Sequence, residues 1–255
     1  AVYQVDKKLI EFSGNTRTKL ADGMEVFSED VRADLVRETV TINQDFQFRI
    51  GGIRGTGRSL VYAIPKQEIY VQEGIKVEIP NGPEEVKAEA REGVYRLEAQ
   101  LIQLRRGVLI SGVQSRLSAR QTDLFLTQEQ RLEKILSSGQ SQLISGTLRA
   151  FSGDAINVFF KSKTGQMDRL EVLGGASNVT SDRARYLHKG KSGKSSLMAD
   201  RIAAIPSPEL VKDRLLLKTF FAEGEVLLVS PALGITEARS RRLEGVFSQD
   251  GDSLE

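Results

Sequence analysis

A short unit recurs along this chain. An alanine opens a strand-like run, and a glycine followed by alternating aliphatic residues closes it 19 to 25 positions later. The units read VKAEAREGVYRLEAQLIQLRRGVLI (86–110), RLSARQTDLFLTQEQRLEKILSSGQSQLI (116–144) and TLRAFSGDAINVFFKSKTGQMDRLEVLGGASNV (147–179). A fourth is SLMADRIAAIPSPELVKDRLLLKTFFAEGEVLLV (196–229); upstream, GTGRSLVYAIPKQEIYVQEGIKVEI (55–79) carries glycine in place of the alanine. No unit is long enough to bury its own apolar face, so neighbours must stack. The expected fold is therefore all-β, elongated and antiparallel, with 1–255 forming one repeat domain.

Within each unit the apolar residues alternate. Tyr95, Leu97, Ala99 and Leu101 share one parity, and Arg96, Glu98 and Gln100 take the other, as in a strand with one dry face. Polar segments such as 127–131 and 161–168 are expected to turn the chain. The glycines at 74, 107, 139, 175 and 224 are expected at bulges where a strand passes from one sheet to another. Ala88, Ala119, Ala150 and Ala199 are expected where two sheets come close. The first three alanines are 31 apart and the fourth follows after 49; the excess is assigned to a basic loop at 182–196. Residues 1–54 carry weaker markers, 202–213 reads as a longer turn, and 248–255 as a frayed tail. The stretch RQTDLFLTQEQRLEKILSS has some helical spacing, but its alignment with the other units favours two strands.

Composition removes several classes of function. A net charge of +2 gives no concentrated basic face for nucleic acid. Without cysteine there is neither a disulfide framework nor a thiolate metal site. GKSGKS (190–195) fails as a phosphate loop because His188 stands where its first glycine belongs. GGIRGTG (51–57) does not continue as a dinucleotide fingerprint, since Leu60 takes the last glycine position. The single histidine, His188, has no nucleophile marked beside it, and no carboxylate pair stands out. The expectation is a non-enzyme with no catalytic residue, metal or cofactor.

The unit, a small residue followed by two apolar pairs around a turn and then glycine, resembles the OstA-like repeat of the Lpt lipopolysaccharide-transport proteins, among them LptA, LptC and the periplasmic part of LptD. AEAREGVYRLEAQLIQLRRGVLI is the best match, and the resemblance covers about 31–247. It implies a two-sheet, V-shaped β-jellyroll with an open apolar groove. It also implies a function: binding and moving lipopolysaccharide or a related amphiphile through the periplasm, acyl chains in the groove. Burial of each CH2 contributes about 0.8 kcal/mol, so a shallow trough suffices. The implied lipid-facing residues are Tyr95, Leu97, Leu101, Leu124, Leu126, Ile156, Val158, Phe160, Leu170, Val172, Leu215 and Leu217. Arg183, Arg185, Lys189, Lys191 and Lys194 are candidates for head-group contact, against the plainer reading of a solvated loop. The implied partners are an inner-membrane transporter and an LptD-like outer-membrane protein, joined by end-to-end strand addition, or further copies of the chain. The N-terminal alanine suggests a removed signal peptide or anchor. Two rivals are a structural or adhesive β-repeat protein with a filled core, and a β-helical carbohydrate-active enzyme.

Overall fold

A computed structural model describes the chain except for residues 21–22, 83, 113–114, 146–148, 175–183, 191–192, 207–216, 231–234 and 247–255, and except for the side chains of 149, 188, 189, 194 and 217. The described residues form β-strands and turns, with no α-helix among them. Residues 1–108 with 121–133 make one compact unit, and 109–120 with 134–255 make a second.

The first unit is an antiparallel meander of β1 (Val2–Gln4), β2 (Leu9–Lys19), β3 (Glu25–Asp34), β4 (Thr39–Ile50), β5 (Ile53–Ala63) and β6 (Glu68–Asn81). The next course is broken in two. β7 (Glu84–Ala90) pairs with the second half of β6, and β8 (Glu92–Arg96) pairs with its first half. β9 (Leu101–Ser111) then lies against β8.

Each long course bends near its middle. Pairing slips between Ser13 and Thr16, Ser28 and Arg32, Ile42 and Asp45, and Thr56 and Arg58. Where the slip is sharp the backbone turns left-handed, as at Gly74 (φ 58°) and Gly107 (φ 75°). A residue without Cβ adopts that conformation at little cost. At the broken course the bend is fastened across strands: Gly74 N donates to Arg91 O (2.8 Å), and Arg91 N donates to Arg106 O (3.3 Å).

The second unit uses the same devices. β10 (Ser115–Leu126) contributes 115–120, and β11 (Leu132–Ser145) pairs with β12 (Arg149–Phe160), slipping between Ser138 and Ser141 beside Gly139 (φ 80°). β13 (Met167–Leu173) and β14 (Ala184–Gly190) are two halves of one course, both paired to β12. β15 (Gly193–Ala199) and β16 (Arg201–Pro206) are halves of the next, both paired to β17 (Leu217–Ser230), and β18 (Ile235–Val246) follows. Gly174 N donates to Asp200 O (2.7 Å) and Asp200 N to Glu223 O (3.0 Å), repeating the fastening seen at Gly74, Arg91 and Arg106.

These observations bear out the all-β antiparallel reading, the two strands in place of a helix at 120–138, and bends at glycines 74, 107, 139 and 224; glycine 175 lies outside the described residues. They correct the basic loop. Residues 184–190 and 193–199 are a β-hairpin in register from Ala184 opposite Ala199 to Gly190 opposite Gly193. Lysines and glycines gave it the composition of a loop, but Ala184, Tyr186, Leu197 and Ala199 alternate inward and are buried. Ten residues, 174–183, stand between the halves β13 and β14 and make up part of the lengthening from 31 to 49. Residues 202–206, read as part of a turn, are strand β16. The weakly marked 1–54 hold strands β1 to β4 and the start of β5, and the tail at 248–255 lies outside the described residues.

The turns carry a marker absent from the sequence reading. Lys8, Glu38, Gln67, Gln100 and Gln130 all adopt positive φ, between 48° and 61°, at spacings of 30, 29, 33 and 30. Each ends a tight turn between two courses. Successive turns are linked by backbone hydrogen bonds: Leu35 N to Lys8 O (3.0 Å), Ile64 N to Glu38 O (3.1 Å), Leu97 N to Gln67 O (3.1 Å) and Leu126 N to Gln100 O (2.9 Å).

Candidate functional site

The interior of each unit is the place where the alternating residues converge. In the first unit the inward residues of successive strands pack as cross-strand pairs, and the glycines of the GGIRGTG segment make room for aromatic rings. Gly55 lies opposite Phe48 and Gly57 opposite Phe46. A Cβ on Gly55 would sit 2.4 Å from Lys76 O and 2.5 Å from the Phe48 ring; on Gly57 it would sit 2.8 Å from both Phe46 Cζ and Val71 Cγ1. The motif that failed as a nucleotide fingerprint is thus a seat for two phenylalanines. Gly245 seats Phe220 in the same way in the second unit.

The implied lipid-facing residues are brought inward. Tyr95, Leu97, Leu101, Leu124 and Leu126 are buried in the first unit, and Ile156, Val158, Leu170 and Val172 in the second. Phe160 is only half-buried, at the end of β12. Leu217 opens β17, its side chain outside the described residues along with the whole of Leu215.

The first unit's interior is closely packed around its aromatic rings. Among Met24, Phe46, Phe48, Ile50, Ile53, Leu60, Ile69, Val71, Ile75, Val77, Tyr95 and Ile102 only about 20 Å³ remains. An extended acyl chain does not fit that space beside the side chains already there. At one place the two ends of the courses also touch: a Cβ on Gly51, in the turn between β4 and β5, would lie 2.0 Å from Gln130 Oε1, in the turn between β10 and β11. The expected open groove is therefore absent at this point of the first unit. Gln130 Oε1 is buried in the contact and accepts no hydrogen bond among the described residues. Such an orphaned acceptor costs on the order of 1–3 kcal/mol, so the contact is held by packing alone.

A second described space lies outside the core, and its lining mixes charged and apolar side chains. A trough of about 1060 Å³ runs beside the bends of β2 to β7, past Asn15, Phe27, Gln47, Arg49, Arg58 and Lys76. Arg58 stands 3.9 Å from Asp45 and 3.7 Å from Glu73, and Lys76 stands 3.5 Å from Glu89. These charged side chains are half or more exposed, and Phe27, Phe46, Ile75 and Ala90 lie among them, so the trough is amphipathic rather than an apolar channel. Both Arg17 and Arg49 stand over the Phe27 ring, at 5.8 and 5.9 Å.

The expected head-group cations do not assemble into a described cluster. Arg185 is half-buried in β14, Lys189 and Lys194 face each other in the register of the hairpin with side chains outside the described residues, and Arg183 and Lys191 lie outside them entirely. Ionisable groups with shifted pKa values sit in surface networks. The Tyr70 hydroxyl, helped by Arg96 Nε at 2.9 Å, holds the Glu68 carboxyl below its usual range. Glu171, 2.9 Å away, raises Arg201, which also reaches Glu223 at 3.3 Å. No group of three or more metal-ligating side chains occurs among the described residues.

In the second unit the interior holds serines that alternation alone did not single out. Ser137 Oγ donates to Ile156 O (2.6 Å) and accepts from Ile156 N (3.3 Å), and Ser195 and Ser230 bond to each other at 2.9 Å. Their sequence signal is weak: serine at inward parity in an otherwise aliphatic strand. No family model and no curated protein matches the chain.

Proposed function

We propose that this chain binds and passes on lipopolysaccharide or a related amphiphile in the periplasm, its acyl chains taken between the two halves of the bent courses. The observation that carries the reading is the inner face. Residues of one parity from successive courses, Tyr95, Leu97, Leu101, Leu124 and Leu126 among them, form a dry surface that repeats along the first unit. Because the space between is filled, lipid entry requires the halves to separate, and the contact of Gly51 with Gln130 is one that must part. Opening it rehydrates an amide oxygen that has no partner when closed.

Strand addition to a transporter, to an outer-membrane partner or to a further copy would use the edges. β18 has only β17 beside it among the described residues, and β1 covers only Leu9–Glu11 of β2, leaving the rest of β2 paired on one side. The same filled interior favours a second reading, a structural β-repeat protein that carries no lipid.

Native mass spectrometry of the chain purified from a Gram-negative host, without delipidation, separates the two. Bound lipid masses, with lipid adducts to a photocrosslinking residue at Leu126 or Val158, are expected for transport. A clean protein mass with crosslinks only within the protein would sink the transport reading and leave the structural one.

A further inference from the structure

We infer that the first three turns of the first unit form a ridge that docks on the surface of an anionic lipid bilayer. Six of the exposed large apolar residues gather here: Val2, Tyr3, Val5, Leu35, Val36 and Ile64. Val5 and Val36 are 69% exposed, and Ile64 46%. They are neighbours in space because the turn ladder joins them, Leu35 N to Lys8 O and Ile64 N to Glu38 O. With two strands per repeat, tips stand roughly 10 Å apart and the ridge runs about 20 Å. Isolated exposed aliphatics are ordinary, but a contiguous row of them marks a contact surface.

Charge selects the occupant. Counting back from the left-handed residue that ends each turn, the first position is Val5, Leu35, Ile64, Leu97 and Thr127, and the third is Lys7, Arg37, Lys66, Ala99 and Glu129. A cation therefore stands beside every exposed apolar tip. It is missing from the fourth turn, where Leu97 is buried, and replaced by an acid in the fifth, where the tip is a threonine. Lys7, Lys8 and Lys66 make no ion pair among the described residues, and Arg37 reaches only Asp34, at 3.9 Å. Within the turns 5–8, 35–38 and 64–67 four cations, Lys7, Lys8, Arg37 and Lys66, stand against two acids, Asp6 and Glu38; Asp34, just before the second turn, keeps its charge and accepts the N–H groups of Val36 (3.0 Å) and Arg37 (2.9 Å). Glu68, just beyond the third turn, is occupied by Arg96 and Tyr70. Aliphatic tips that enter the acyl boundary while flanking lysines and arginine meet phosphates are the chemistry of an interfacial anchor. A protein partner would have to answer the same alternation with paired carboxylates, whereas a lipid surface does so without register.

This inference does not rest on the transport reading, since it needs no lipid inside the protein. The 255-residue chain is mixed with vesicles of phosphatidylcholine containing phosphatidylglycerol, or of phosphatidylcholine alone, and vesicle-bound protein is measured by flotation. Binding is expected with the anionic vesicles and weaker without them. Replacing Val5, Leu35, Val36 and Ile64 together by serine should lower the partition coefficient about tenfold or more. The set K7Q, R37Q and K66Q should abolish the preference for phosphatidylglycerol while keeping the far-ultraviolet circular dichroism. Ile144→Ser and Ile205→Ser, exposed apolar positions elsewhere, should change neither. Equal flotation of the wild type and the serine variant, or no flotation of the wild type, overturns the proposal. So does a wild-type oligomer in sedimentation that the serine variant dissolves while vesicle binding is absent, because the ridge would then be covered by a second copy.

Discussion

Adding one methyl group at Gly55 or Gly57 tests how tightly the first unit's interior is closed. Neither glycine has a positive φ, so Ala is conformationally allowed at both, and the restricted unfolded chain would favour Ala by about 0.4–1 kcal/mol. Space opposes it. At Gly57 the new Cβ lies 2.8 Å from Phe46 Cζ and Val71 Cγ1, 0.6 Å inside an ordinary contact of 3.4 Å, and both obstacles are side chains that can shift. At Gly55 the obstacle is Lys76 O at 2.4 Å, 1.0 Å inside the same limit, and moving it means moving β6. Overpacking of this kind costs about 1–3 kcal/mol. Gly57→Ala should then lose roughly 1 kcal/mol net and Gly55→Ala roughly 2–3 kcal/mol.

Urea unfolding followed by far-ultraviolet circular dichroism reads both, and at 2–4 °C per kcal/mol Gly55→Ala should lower Tm by roughly 4–12 °C. A double-mutant cycle supplies the sharper check. Phe46→Leu should recover about 1 kcal/mol of the Gly57→Ala loss, because the ring is part of the clash. Phe48→Leu should recover less of the Gly55→Ala loss, because the Lys76 carbonyl remains. A Gly55→Ala variant within 0.5 kcal/mol of wild type, or one milder than Gly57→Ala, would refute the packed interior on which this reasoning stands.

Thr122→Val should stabilise the chain by about 1 kcal/mol in the same assay, since Thr122 Oγ1 is buried with no hydrogen-bond partner among the described residues. Glu68 has its pKa lowered in the fold, so its contribution is present above the ordinary glutamate value near 4.5 and lost as pH falls through the folded value. The stability difference between wild type and Glu68→Gln, on the order of 1 kcal/mol above about pH 5, should shrink on acidification; a difference flat from pH 7 to 3 would contradict this. Ser195→Ala and Ser230→Ala should each cost about 1 kcal/mol, and the double variant less than their sum, because the second substitution removes the hydroxyl that the first leaves unpaired.

What the residues declare in advance is the inner face and the bend. Inward parity at Tyr95, Leu97, Leu124, Leu126, Ile156 and Val158 follows from alternation, which any half-buried strand must display. The bend is legible at Gly74, Gly107, Gly139 and Gly224 because a left-handed bulge selects glycine. The turns were not legible for the opposite reason: Lys8, Glu38, Gln67, Gln100 and Gln130 hold positive φ without glycine, so the clearest period in the fold left no compositional trace. The hairpin at 184–199 hid because two alternating pairs of small and apolar residues were outnumbered by lysine, serine and glycine. Whether the interior is empty or filled was beyond parity altogether. Tyr95 and Leu124 point inward in either case, and only the ring sizes opposite Gly55 and Gly57 close the gap.

The bends and the turns divide the work of keeping the repeat in phase. A strand shows one face to the interior, so a single inserted residue would turn every later side chain outward. In β5 the inward set is Ile53, Gly55 and Gly57 before the bend and Leu60 and Tyr62 after it, a change of parity absorbed by the left-handed Ser59. In β6 the set Ile69 and Val71 continues as Ile75, Val77 and Ile79 with parity unchanged across Gly74. The bend thus accepts either parity between the two halves of a course. The turns show no such tolerance, since their carbonyls must meet the next turn's N–H. Along this edge of the first unit the turns 5–8, 35–38, 64–67, 97–100 and 127–130 keep one length, so the row of turn tips stays in line. That constancy is what a ridge meeting a flat surface requires.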